Sequence, residues 1–100
     1  MVKILQIRPP ENLPNTKEED KNIWTLSVLG ETKEDVLTVK DVLDDNVQLT
    51  FLHCLGIKIY QGYPSYGKGG SIFIKDYNKG QSSIQETQNL LLRTIYKIIL

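Results

Sequence analysis

The residues best equipped for chemistry lie together in the segment Tyr60-Gln-Gly-Tyr-Pro-Ser-Tyr-Gly-Lys-Gly-Gly-Ser71. Gly62, Gly67 and Lys68 have nearly the spacing of a phosphate-binding loop, in which backbone N–H groups and a lysine cradle phosphates. That chemistry also requires a hydroxyl residue after the lysine to hold magnesium, and a helix whose first amides meet the phosphate. Here Gly69 stands where the hydroxyl is needed, Pro64 interrupts the loop, and Ser71-Ile-Phe-Ile-Lys75 has the pattern of a strand. A nucleotide-hydrolysing site is therefore rejected, and the segment reads as the tip of a hairpin.

Other catalytic constellations fare no better. His53 and Cys54 are adjacent, so a helix separates their side chains by about 100° and a strand sends them to opposite faces. Cys54 is expected in the core, where cysteine behaves as a small hydrophobe. One histidine and one cysteine exclude a multi-histidine or cysteine-rich metal site and any internal disulfide. The acids Glu31, Glu34, Asp35, Asp41, Asp44 and Asp45 include no calcium-loop pattern, because Asp44-Asp45-Asn46 lacks the following glycine and terminal glutamate. They read as a solvated acidic face with some capping duty. No catalytic residue, cofactor or metal site is expected.

The flanks of the loop are more informative. Ile57–Gln61 and Ser71–Tyr77 alternate as the two strands of a hairpin. With Ile57, Ile59, Ile72 and Ile74 buried, Lys58, Tyr60, Phe73, Lys75 and Tyr77 point the other way. Tyr63, Tyr66 and Lys68 of the loop extend this patch to four tyrosines, a phenylalanine and three lysines. Tyrosine is enriched in protein interfaces, and aromatics interleaved with lysine can also stack bases and hold phosphates.

These residues need a scaffold. Val2–Arg8 alternates as a strand, with Val2, Ile4 and Gln6 on one side and Lys3, Leu5 and Ile7 on the other, and Pro9-Pro10 ends it. Residues 9–22, with three prolines and a mixed charge run, read as an exposed loop. Ile23–Leu29 forms a second strand with Trp24, Leu26 and Val28 toward the core. After a turn, Asp35–Val39 is predicted to return antiparallel. Residues 38–56 are predicted helical, from a Thr38–Asp41 capping box and the spacing of Leu43, Val47, Phe51, Cys54 and Leu55 up to Gly56. The competing assignment is a hairpin turning at Asp44-Asp45-Asn46. Ser83-Ile-Gln-Glu86 opens a final helix, with Ile84, Leu91, Ile95 and Ile98 in one stripe widened by Leu92, Tyr96 and Ile99. The order β-β-β-α-β-β-α implies an α+β fold, one mainly antiparallel sheet with two helices packed on one face.

The chain of 100 residues fits one small domain, residues 1–100, with 40% apolar and 24% charged residues. No apolar run suits a membrane span and the N-terminus lacks signal-peptide features, so a soluble, cytoplasmic protein is expected. The absence of alanine and the ten lysines against two arginines match the usage of an AT-rich genome. The zero net charge conceals asymmetry, with ten acids and six bases in residues 1–50 and two acids and six bases in residues 51–100. Neutrality argues against a strongly electrostatic nucleic-acid binder. The function expected is a small non-catalytic binding protein, an adaptor or inhibitor of viral or mobile-element type, acting as a homodimer through protein–protein contacts. The alternative is single-stranded nucleic-acid binding by the tyrosine–lysine hairpin face.

Overall fold

Strand β1 (Val2–Arg8) and strand β2 (Ile23–Gly30) open the chain, joined by a connection that contains a 3-10 turn at Glu18–Asp20. Helix α1 (Lys33–Val47), strands β3 (Leu52–Gln61) and β4 (Lys68–Asp76) and helix α2 (Ile84–Ile99) follow. The computed structural model describes residues 2–47, 52–61, 68–77 and 83–99. The four strands form one antiparallel sheet in the order β1-β2-β4-β3. Both helices contribute to the core on one face of it, so the fold is α+β. Its ββα unit occurs twice, β1-β2-α1 and β3-β4-α2, and the second strands of the two units pair at the centre of the sheet. Among the described residues no helix is long and apolar enough to cross a membrane.

The strand predicted at Asp35–Val39 is helical, and the helix predicted over 38–56 ends at Val47 and gives way to β3 from Leu52. The cause lies at the start of α1. Asp35 Oδ2 accepts hydrogen bonds from the backbone N–H groups of Glu31 and Thr32, each at 3.1 Å. Thr32 Oγ1 accepts in return from the Asp35 N–H at 3.3 Å. This reciprocal capping box sits upstream of the one expected at Thr38–Asp41. Val36, Val39 and Leu43 then fall on one helical stripe, and all three are buried. The β-branching of Val36 and Val39 favours a strand locally, but the cap and the shared stripe outweigh it. Asp35→Ala should cost about 1–2 kcal/mol in urea unfolding, and an unchanged midpoint would show that the cap contributes nothing.

The core lies between the sheet and the helices. Trp24, Leu26 and Val28 of β2, as predicted, and Ile72 and Ile74 of β4 alternate into it, with Trp24 opposite Ile74 and Leu26 opposite Ile72. Val36, Val39 and Leu43 of α1 and Leu91 and Ile95 of α2 complete it from above, with Leu52 and Cys54 from β3. Two bulges reset the side-chain phase. In β1 the register shifts between Ile4 and Gln6, so Ile4 and Ile7 oppose the buried Val28 and Leu26. The plain alternation read from the sequence placed Ile7 with Lys3. In β3 the shift between Cys54 and Gly56 keeps Cys54, Ile57 and Ile59 all on the helix side and leaves Leu55 exposed.

Helix α2 starts where predicted, with the Ser83 hydroxyl accepting from the Glu86 N–H at 3.1 Å. Leu91 and Ile95 are buried, whereas Ile84 and Tyr96, assigned to the apolar stripe from sequence, are 58% and 56% exposed.

Candidate functional site

Because both helices cover one side of the sheet, the other side is the broadest surface on which several strands bring side chains together. Pairing across all four strands places its residues in rows. One row runs Lys3, Leu29, Gly69 and Tyr60; the next Gln6, Ser27, Ser71 and Lys58; the third Arg8, Thr25, Phe73 and Gly56. A fourth, shorter row holds Ile23, Lys75 and His53. The central columns carry Leu29, Ser27, Thr25 and Ile23 on β2 and Gly69, Ser71, Phe73 and Lys75 on β4, and exposed Lys3, Arg8 and Lys58 stand on the two edge strands. No strand contributes a carboxylate to these rows. Five acids lie instead on α1, where Glu34, Asp35, Asp41, Asp44 and Asp45 outnumber Lys33 and Lys40, and Glu18, Glu19 and Asp20 lie in the 3-10 turn.

At one end of this face, His53 and Tyr77 meet edge to face, with ring centroids 5.9 Å apart and planes at 66°. The Lys75 ammonium lies 5.9 Å from the centroid of the Tyr77 ring. It also donates to the backbone carbonyls of Glu18 at 3.3 Å and Glu19 at 2.8 Å, which fastens the 3-10 turn over the end of the sheet. A hollow of about 400 Å³ lies between that turn, Lys75 and Tyr77.

Residues 9–22 are thus an internally bonded loop. The Asn12 side-chain amide donates to Asn22 Oδ1 at 2.9 Å, and the Asn22 N–H donates to Asn12 Oδ1 at 3.0 Å. Asn22 has φ 61°, a left-handed conformation that asparagine tolerates better than most residues, and its carbonyl accepts from the Asp76 N–H at 2.8 Å. A second cleft, of about 180 Å³, lies between this loop, Trp24, Asp76 and the first turn of α2.

Of the residues singled out from sequence, Lys58, Phe73 and Lys75 share the uncovered face, Tyr77 joins them through its contacts with His53 and Lys75, and the register of β3 brings the Tyr60 position there. Lys68 is not with them. It is the first residue of β4, in phase with Gly70, Ile72 and Ile74 and opposite Gly30, on the helix side of the strand. Tyr63 and Tyr66 lie outside the described residues. Sequence reasoning missed Lys3, Arg8 and His53. The first two join the face only because β1 pairs with β2 and β2 with β4, a long-range pairing that a local hairpin pattern does not contain. His53 was hidden by the helix assigned to its segment, although Lys58 and Tyr60 continue its strand.

Cys54 is buried on the helix side, as expected, and desolvation lifts its thiol pKa above the ordinary value, with the backbone hydrogen bond at Gly56 and the charge of Lys40 acting against the rise. The folded state therefore holds this proton more tightly than the unfolded chain. Its contribution to stability is full below the unfolded thiol pKa, near about 8.5, and declines as pH rises above it. The thiol should react with a disulfide reagent many-fold more slowly in the native protein than in denaturant at pH 8. Equal rates would contradict the burial. Asp44 and Asp41 pair with Lys40 at 3.9 and 4.0 Å along the helix, and among the described residues no three His, Cys, Asp or Glu side chains converge as metal ligands would. Comparison with protein-family models, with curated proteins and with solved structures finds no match.

Proposed function

We propose that the protein is a non-catalytic binding module that meets its partner with the uncovered face of its sheet. The observation that supports this is the sorting of side chains across four strands: three exposed cations at the rims, Phe73 beside Thr25 and Ser71 between them, and no carboxylate in the rows, five acids lying on α1. An adaptor or inhibitor role needs such a surface and no reacting groups. The face is positive although the chain is neutral, so the partner surface is anionic.

Capture from the native host tests the reading. Wild-type protein and a Lys33→Glu control, altered on the first turn of α1, should retain the same partner, and a variant combining Arg8→Glu, Lys58→Glu and Phe73→Ala should lose it. Retention by the triple variant would place the contact elsewhere. Homodimerisation is a separate part of the proposal, supported by exposed Ile84 and Tyr96 on α2. Light scattering should give twice the chain mass at concentrations on the order of tens of micromolar, and a monomer there would remove it.

A further inference from the structure

The sheet face also carries information on the chemical class of its partner. Resting on the reading of that face as the contact surface, we infer that the partner is a single-stranded nucleic acid lying in the trough between the two edge strands.

The trough is built by register. Its floor holds the hydroxyl side chains of Thr25, Ser27 and Ser71 on the two central strands, with Gly69 beside them and Leu29 and Ile23 at the two ends of the β2 column. Lys3 and Arg8 stand on one rim and Lys58 on the other, all exposed and of one sign. The four strands give a width of about 14 Å between the outer strand axes and a length of about 20 Å along them. Phe73 is half-buried in this floor, between Thr25 on one side and Gly56 on the other. Gly56 presents no side chain there, and a Cβ on it would meet nothing within 4 Å, which leaves open space beside this position. A base can stack there while the backbone reaches the rim cations.

Each feature selects against a competitor. A duplex keeps its bases stacked inside, so Phe73 would have nothing to bind. A protein interface draws on clustered apolar anchors and mixed charge, whereas the middle of this floor is hydroxylated around one aromatic, with Leu29 and Ile23 at its ends. Its three exposed rim charges share one sign, the acidic Glu18–Asp20 turn lying at one end. The acidic α1 on the far side of the domain repels a polyanion from that helix. Lys75 contributes charge to one end, with its ammonium already donating to two loop carbonyls.

The test is a fluorescence-anisotropy titration of the full chain with labelled oligothymidylate of about 20 nucleotides, beside a duplex and a polyglutamate peptide of similar charge, from about 50 to 200 mM salt. Oligothymidylate should bind most tightly, with a dissociation constant of about 1–100 µM at physiological salt. The plot of log affinity against log salt should have a slope near about −2, as three neutralised phosphates require, and Lys58→Gln should reduce it by about 0.7. Phe73→Ala should weaken binding about tenfold. Phe73→Leu, which keeps apolar bulk for folding and removes the π face, should also weaken it, and Lys33→Glu should not. Absence of oligonucleotide binding at about 50 mM salt, tighter binding of polyglutamate, or indifference to both Phe73 variants would overturn the inference. If the oligonucleotide fails while the triple face variant still loses its partner from the native host, the face reading stands and the partner is an acidic protein. If the oligonucleotide binds and its NMR shift changes fall on the helices, both fall.

Discussion

Gly70→Ala should lower the stability of this protein by about 1–3 kcal/mol, although the same change usually stabilises a chain by reducing the entropy of its unfolded state. Gly70 lies on β4 between Val28 of β2 and Ile59 of β3, directly beneath α1. A Cβ there would sit 2.7 Å from Val36 Cγ1, 3.3 Å from Ile59 Cδ1 and 3.4 Å from the Lys58 carbonyl oxygen. Val36 is fully buried and cannot swing its methyl group into solvent. The strain must instead be relieved by lifting α1 from the sheet, which opens contacts along the whole helix. Urea unfolding of Gly70→Ala, Val36→Ala and the double variant measures this directly. Val36→Ala alone removes packing, but in the double variant it makes room for the new methyl group, so the two costs should sum to about 0.5–3 kcal/mol more than the double variant loses. Gly56→Ala is the contrasting case, because its Cβ enters open space, and it should shift stability by no more than about 0.5 kcal/mol. A neutral Gly70→Ala would mean that α1 does not pack this closely.

Trp24→Ala should have the larger effect, about 3–5 kcal/mol out of the roughly 5–15 kcal/mol that holds a small domain together. Trp24 is 2% exposed on a central strand, opposite Ile74 in the register. It also lines the cleft shared with Pro10, Asn12 and Asn22 and with Ile84 and Thr87 of α2. Truncation would therefore leave a cavity where the sheet, the 9–22 loop and the final helix converge, and one element cannot close it alone. Far-UV circular dichroism during thermal unfolding is the suitable measurement, since the substitution removes the only tryptophan fluorophore. Trp24→Phe keeps most of the apolar contact and should recover a large part of the loss. An alanine variant within about 1 kcal/mol of wild type would show that Trp24 is peripheral to the fold.

Much of the architecture was legible in the chain itself. The alternation of Trp24, Leu26 and Val28, the Ser83–Glu86 cap and the paired runs around residues 57 and 72 each carry a local signal. Local signals suffice where one face of an element is plainly apolar and its ends carry capping or turn residues. They also argue against a nucleotide loop at Gly62–Lys68, because the strand pattern after it contradicts what phosphate binding needs. The segment from Asp35 to Gly56 was misread for a definite reason. Its β-branched residues and its helical spacing conflict, two capping boxes compete, and the choice depends on which stripe the sheet can bury.

Half of the candidate surface was also visible. Lys58, Phe73, Lys75 and Tyr77 follow from a hairpin, whose pairing is local. Lys3, Arg8 and His53 do not, because their presence on that face depends on the order β1-β2-β4-β3 and on two bulges, each shifting the phase by one residue. Nor does a local pattern show that Lys75 is committed to the Glu18–Asp20 turn, a contact between residues far apart in the chain. The sequence alone determined the strands around residues 24, 57 and 72, the start of the final helix and the apolar side of most elements, since those properties arise within a few residues. Only the tertiary structure decided that Lys3, Arg8 and His53 join Lys58 and Lys75 on one face, because strand order and register arise from burying the helices and both central strands together.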